Sequence, residues 1–133
     1  MIENNEIPST VKPYRLGLAL SGGGARGFAH AGAIKALEEM ELRPDVISGV
    51  SAGSVIGALY ADGYTPDEII DMFGRLSVSD LAEITVPRSS FFKITKFRNF
   101  LKKVLRSTNF EDLSIPLVIT TTDLDNGRSV SFS

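Results

Sequence analysis

The chain has 133 residues, 14 Lys and Arg against 16 Asp and Glu, a formal net charge of −2 and 43% hydrophobic content, which suits one domain with a real core and excludes disorder as the main state. One His and no Cys exclude a disulfide framework, a thiolate metal site and a Cys nucleophile, and leave no set of imidazoles for a metal centre. Neither metal nor cofactor is expected, so chemistry falls to hydroxyls, carboxylates and the backbone.

The opening residues Met1-Ile2-Glu3-Asn4-Asn5-Glu6 are acidic and polar, unlike a secretory signal, and residues 1–13 read as a flexible lead-in. Residues 15–20 are a short apolar run entering a glycine cluster, the pattern of a buried parallel strand. From Phe28 the period changes: Ala31, Ile34, Leu37 and Met40 fall at helical spacing, with Lys35, Glu38, Glu39 and Glu41 on the other face. Pro44 breaks the chain, residues 45–50 predict a second strand, and residues 54–62 predict a second helix closed by Gly63. Thr65-Pro66-Asp67-Glu68 has the form of a capping box with Pro at the first helical position, opening a third helix through Ile69, Ile70, Met72, Phe73 and Leu76. Residues 93–106 set Phe97, Phe100, Leu101 and Val104 against Arg98, Lys102, Lys103 and Arg106, an amphipathic basic helix. Residues 117–122 are strongly β-prone, and Asp125-Asn126-Gly127-Arg128 offers a tight turn into a last strand over residues 129–132.

This order argues for a three-layer α/β sandwich with a mainly parallel central sheet, in which ligands sit at the carboxyl ends of the strands. No stretch approaches the ~18 consecutive apolar residues of a membrane span, so a cytoplasmic protein, peripheral at a membrane at most, is expected. Charge is unevenly placed. Residues 1–86 carry six basic and twelve acidic residues, residues 87–110 seven basic and none acidic, and residues 111–133 one basic and four acidic. The basic helix over 93–106 therefore has two readings: contact with anionic lipid headgroups, or an apolar stripe packed on its own domain. Nucleic acid is not an expected partner, because the chain as a whole is acidic and no recognition motif accompanies the basic stretch.

Two glycine clusters follow the first two predicted strands. In Ser21-Gly22-Gly23-Gly24-Ala25-Arg26-Gly27, Gly22, Gly24 and Gly27 satisfy G-x-G-x-x-G, but a dinucleotide site also needs an acidic residue at the end of the next strand, and that strand ends Gly49-Val50-Ser51. The second cluster, Gly49-Val50-Ser51-Ala52-Gly53, fits G-x-S-x-G. A sharp strand-to-helix turn of this kind exposes the middle hydroxyl, and glycine on either side lets the backbone cross closely. A serine nucleophile needs a base and a site for the oxyanion. The helix N-terminus after Ser51 and the amides of Gly22, Gly23 and Gly24 supply candidates for the second need.

Ser-Gly-Gly-Gly-Ala-Arg-Gly-Phe-Ala-His-Ala-Gly followed by Gly-Val-Ser-Ala-Gly-Ser resembles the N-terminal half of a patatin-like phospholipase domain, and Phe110 to Leu117 with Thr122-Asp123-Leu124 and Gly127 is similar to the family's next strand and hairpin. The resemblance implies that Gly22, Gly23, Gly24, Arg26 and Gly27 form the oxyanion loop, that Ser51 between Gly49 and Gly53 is the nucleophile, and that the substrate is a lipid ester. It also implies a Ser-Asp dyad whose Asp comes from a D-G-G or D-G-A motif downstream of the hairpin. No such motif occurs here. Asp62-Gly63 lies 11 residues past Ser51, about 16 Å along a helix. His30 reads as a packing or hydrogen-bonding residue, and Asp125 as the carboxylate of an Asx-type turn, with Asp123 at the strand end beside it. Residues 14–133 are accordingly expected to be the N-terminal part of a longer acyl hydrolase domain, inactive alone. Two other readings stay open: a non-catalytic lipid-binding fragment or pseudoenzyme, and a nucleotide-binding module using the glycine loop.

Overall fold

The computed structural model describes residues 14–75 and 91–133; the lead-in expected over 1–13 and the expected helix end at Leu76 lie outside them. Three strands are parallel: β1 (Gly17–Leu20), β2 (Val46–Gly49) and β3 (Leu117–Asp123). A fourth, β4 (Arg128–Phe132), pairs antiparallel with β3, and the sheet order is β1-β2-β3-β4. The fold is α/β with a mainly parallel sheet, as the sequence predicts.

Strand order decides where the helices go. Each parallel strand is laid on the same side of the one before, so right-handed crossovers place every intervening helix on one face. The core shows this: Leu20, Ile47 and Leu117 of the sheet join Ala31 and Ile34 of α1 (Phe28–Glu39), Ile56 and Leu59 of α2 (Ala52–Ala61), and Ile69 and Phe73 of α3 (Pro66–Gly74) in one buried cluster. Ala19 and Ser48, pointing to the other face, are exposed. The layer that would cover them in a three-layer sandwich is not formed by the described residues.

Local chemistry fixes the element ends. The Asp45 carboxylate accepts the backbone N–H groups of Arg15 (2.8 Å) and Leu16 (2.9 Å), tying the entry of β1 to that of β2; those two bonds hold its carboxyl below the usual range, Leu16 contributing most. At α3 the predicted capping box is complete, with Glu68 N–H donating to Thr65 Oγ1 (3.2 Å) and Thr65 N–H to Glu68 Oε2 (2.7 Å). α2 starts at Ala52, two residues earlier than the sequence suggests, because Ser51 itself is the N-cap residue.

The basic helix, α4 (Phe91–Val104), begins and ends two residues before the predicted span. Its apolar stripe is used within the domain: the Phe100 ring lies 6.2 Å from Phe73, which lies 5.2 Å from Phe28, and Val104 and Leu105 also pack on the core. Its end is held by Asp62, a buried carboxylate that accepts the N–H groups of Arg106 (2.6 Å) and Ser107 (2.9 Å). Tyr64 donates its hydroxyl to the Val104 carbonyl at 2.5 Å, and the Arg106 guanidinium stacks 4.0 Å over the Tyr64 ring. Bonds to a buried carboxylate contribute about 1.5–3 kcal/mol each, so Asp62 is a tether across more than forty residues as well as the helix end the sequence indicates.

In the hairpin, the turn carboxylate is Asp123 rather than Asp125. Asp123 accepts from Asp125 N (3.1 Å), Asn126 N (3.3 Å) and Asn126 Nδ2 (2.7 Å), and Arg128 Nε lies at 3.4 Å. The Asx turn therefore starts two residues before its predicted place, since Asp123, at the end of β3, is the residue whose side chain spans the chain reversal.

Candidate active site

Leu20 of β1 and Gly49 of β2 are paired neighbours, so the two glycine clusters leave the sheet side by side. Val50 N–H donates to the Leu20 carbonyl (3.0 Å), which extends that pairing one residue into the loop. Ser51 then takes φ 52° and ψ −124°, a left-handed backbone that costs a residue with a side chain on the order of 1–3 kcal/mol. Such a turn demands close crossings on both sides. A Cβ on Gly49 would stand 2.6 Å from Ser54 Cα, and one on Gly53 would collide with the Leu20 carbonyl oxygen and lie 2.6 Å from that of Ser21.

The first cluster lies against this elbow. A Cβ on Gly22 would be 3.2 Å from Ser51 Cβ and 3.8 Å from Ser51 Oγ, and one on Gly27 would be 2.6 Å from Ala52 Cβ. Gly24, at φ 54°, opens a single 3-10 turn (Gly24–Gly27) closed by Arg26 N–H donating to the Gly23 carbonyl at 3.1 Å. Arg26 thus holds the loop through its backbone, while its side chain is exposed. His30 donates from Nε2 to the Ser21 carbonyl at 2.8 Å. That nitrogen carries a proton, since a carbonyl only accepts, and so it is not a base for Ser51.

The chemistry available is a hydroxyl beside a rim of amides. The Ser51 side chain is exposed and makes no hydrogen bond among the described residues. Nor do the N–H groups of Gly22, Gly23 and Ala52 have partners among them. Ala52 N–H opens α2, where the helix dipole favours negative charge; the sequence reading, placing the helix start at Ser54, missed it, although the residue after the elbow serine was the signal. Asp62 stands at the far end of α2 and is occupied by Arg106 and Ser107. Asp123 lies four residues beyond Ile119, the partner of Gly49, or about 13 Å further along the strand, and its carboxyl is held below the usual range by Asn126 above all.

A sequence profile of patatin-like phospholipases matches residues 18–133. The chain belongs to the patatin-like phospholipase family. Similar patatin-like proteins include lysophospholipase NTE1 of Mycosarcoma maydis, 36% identical over 122 residues, which takes in 85% of this chain and 6% of that protein. Patatin-like phospholipase domain-containing protein 6 of Mus musculus is 35% identical over 115 residues, with 82% of this chain and 8% of that protein covered. The chain thus spans under a tenth of the length of these relatives. Among solved structures, full-length ExoU in complex with SpcU, from the type III secretion system of Pseudomonas aeruginosa, superposes with a TM-score of 0.58 at 23% identity, covering 89% of this chain and 34% of that one. That likeness bears on the fold. Among the described residues, no helix of this patatin-like chain is long and apolar enough to cross a membrane.

Proposed function

We propose that this chain carries the nucleophile and oxyanion hole of a serine acyl hydrolase acting on phospholipid or lysophospholipid esters. The observation that carries the reading is Ser51: a non-glycine residue held at positive φ, its hydroxyl exposed and without a partner among the described residues, with the Gly22 loop against it. Ser51 Oγ attacks the ester carbonyl carbon and gives up its proton to a carboxylate. The amides of Gly22, Gly23, Gly24 and Ala52 hold the oxyanion of the tetrahedral intermediate. Collapse breaks the acyl–oxygen bond, the alcohol leaves with the proton, and water then cleaves the acyl-enzyme by the same route in reverse. The carboxylate is the Asp of a Ser-Asp dyad following the hairpin in the longer protein, so residues 14–133 form the N-terminal part of the hydrolase domain and the 133-residue chain alone is inactive.

Fluorophosphonate labelling tests this on the 133-residue chain and on the full-length protein, each beside its Ser51→Ala form. Labelling only of the full-length wild type is expected. Labelling of the 133-residue chain would overturn the position of the base, and labelling of neither would overturn the hydrolase reading in favour of a lipid-binding or pseudoenzyme role.

Contact with an anionic membrane surface rests in this reading on Arg98, Lys102 and Lys103, which α4 leaves exposed, and not on insertion of Phe100, which packs on Phe73. In flotation with phosphatidylserine vesicles, Lys102→Glu with Lys103→Glu is expected to release most of the bound protein at low salt. Unchanged flotation would leave α4 a helix that only packs on its own domain.

A further inference from the structure

Ser54 lies in the first turn of α2 and is half-buried. Its hydroxyl donates to the Ser51 carbonyl at 2.5 Å, and its N–H donates to the same oxygen at 3.0 Å. One oxygen of the elbow is thus gripped twice by one residue. Ser54 itself has little room to move, since a Cβ on Gly49 would stand 2.6 Å from Ser54 Cα and 2.8 Å from its nitrogen. Gly49 in turn is held in β2 between Leu20 of β1 and Ile119 of β3. The Ser51 carbonyl is therefore tied, through Ser54, to the middle of the sheet.

What shares the peptide plane with that carbonyl gives the tie a use. A trans peptide is flat, with C=O and N–H pointing in opposite directions, so fixing the Ser51 oxygen fixes the direction of Ala52 N–H. That N–H has no partner among the described residues. Rotation of this plane is the motion the elbow invites, because Ser51 at φ 52° and ψ −124° is strained, and strained backbone persists only where its surroundings over-determine it. Hydrogen bonds accepted by a carbonyl also polarise the N–H of the same peptide, strengthening the donor on the order of 10–30% per bond. We propose that Ser54 is a positioning residue of the hydrolase: its hydroxyl holds the Ser51–Ala52 peptide plane so that Ala52 N–H meets the oxyanion. The proposal rests on the catalytic reading of Ser51. A ground-state ester oxygen carries little charge, so a misaimed amide changes binding little. The tetrahedral intermediate puts a full negative charge there, and a hydrogen bond to it weakens steeply with angle. Loss of the Ser54 hydroxyl therefore falls on kcat and spares KM. Deleting an oxyanion donor outright costs about 10²–10³-fold in kcat, and a donor still present but free to swing loses part of that, about tenfold.

The test uses the full-length protein as wild type, Ser54→Ala, Ser54→Cys and Ser54→Thr, with p-nitrophenyl butyrate as substrate. An alkyl trifluoromethyl ketone serves as inhibitor, because addition of Ser51 Oγ leaves its oxyanion among the same amides. Ser54→Ala is expected to lose about tenfold in kcat with KM within about twofold, and to weaken ketone inhibition by the same factor as kcat. Ser54→Thr keeps a hydroxyl that can reach a carbonyl one turn back, and is expected within about threefold of wild type. Ser54→Cys, nearest to serine in shape but a weak donor, is expected to stay near Ser54→Ala. Packing alone would reverse that order. A cysteine variant more active than the threonine variant therefore overturns the proposal, as does kcat retained in Ser54→Ala or threonine no better than alanine. The threonine and cysteine variants decide the matter if Ser54→Ala does not fold. If the wild type neither hydrolyses the ester nor is inhibited by the ketone, the catalytic reading of Ser51 has failed, and the role of Ser54 with it.

Discussion

Ser51→Gly is expected to unfold at higher urea than the natural protein and to hydrolyse no ester. The gain comes from the backbone. At φ 52° and ψ −124° a serine pays on the order of 1–3 kcal/mol that glycine does not, and the extra entropy of glycine in the unfolded chain returns about 0.5–1 kcal/mol of that. The net is a gain of about 1 kcal/mol. Ser51→Ala keeps the Cβ and the strain, so its midpoint should match the natural one within about 0.5 kcal/mol. Both variants lose the nucleophile, and turnover should fall on the order of 10⁴-fold or more, leaving what amides and binding alone supply. Urea midpoints and ester turnover of the full-length protein, measured on the same preparations, check both halves. Glycine and alanine variants destabilised alike would mean that the elbow is not strained, and turnover surviving in either would remove Ser51 from the chemistry.

What was legible in the sequence was written in local sterics. The elbow and the glycine loop are visible because a Cβ on Gly27, Gly49 or Gly53 would stand within 3 Å of a neighbouring residue, and Gly24 takes a positive φ. The capping box at Thr65 and Glu68 is equally local, a reciprocal pair three residues apart. The misplaced features depend on contacts that spacing does not encode. Asp62 was readable as a helix end, but its N–H partners lie 44 and 45 residues away. Both Asp123 and Asp125 suit an Asx turn, and only the strand register, which carries β3 through Asp123, decides between them. The α4 stripe shows the same limit, since amphipathicity says that one face seeks apolar cover without saying whether lipid or Phe73 supplies it. One-sided helix cover follows from strand order, which emerges only when the strands are paired.

Gly53→Ala should cost about 3 kcal/mol and, in protein that still folds, lower kcat more than it raises KM. The added methyl meets main chain on all sides named above, the Leu20 carbonyl and the Ser21 carbonyl, and neither is free to yield. Leu20 is paired with Gly49 and accepts from Val50 N–H, and the Ser21 carbonyl is held by His30. Overpacking of this kind typically costs 1–3 kcal/mol, and rigid partners put it at the upper end. The least costly relief is for the start of α2 to move away from β1. That motion carries Ser51 away from Gly22 and opens the gap between nucleophile and amides, which transition-state stabilisation cannot tolerate. Gly32→Ala is the matched control. It adds the same methyl in mid-α1 where nothing lies within 4 Å, so it should stabilise by about 0.5–1 kcal/mol through helix propensity. Opposite signs for one chemical change in urea unfolding, with turnover lost only at residue 53, would show that Gly53 sets the spacing between elbow and loop. Equal small effects at both positions would show that the contact between α2 and β1 is loose, and that something else aligns Ser51 with the amides.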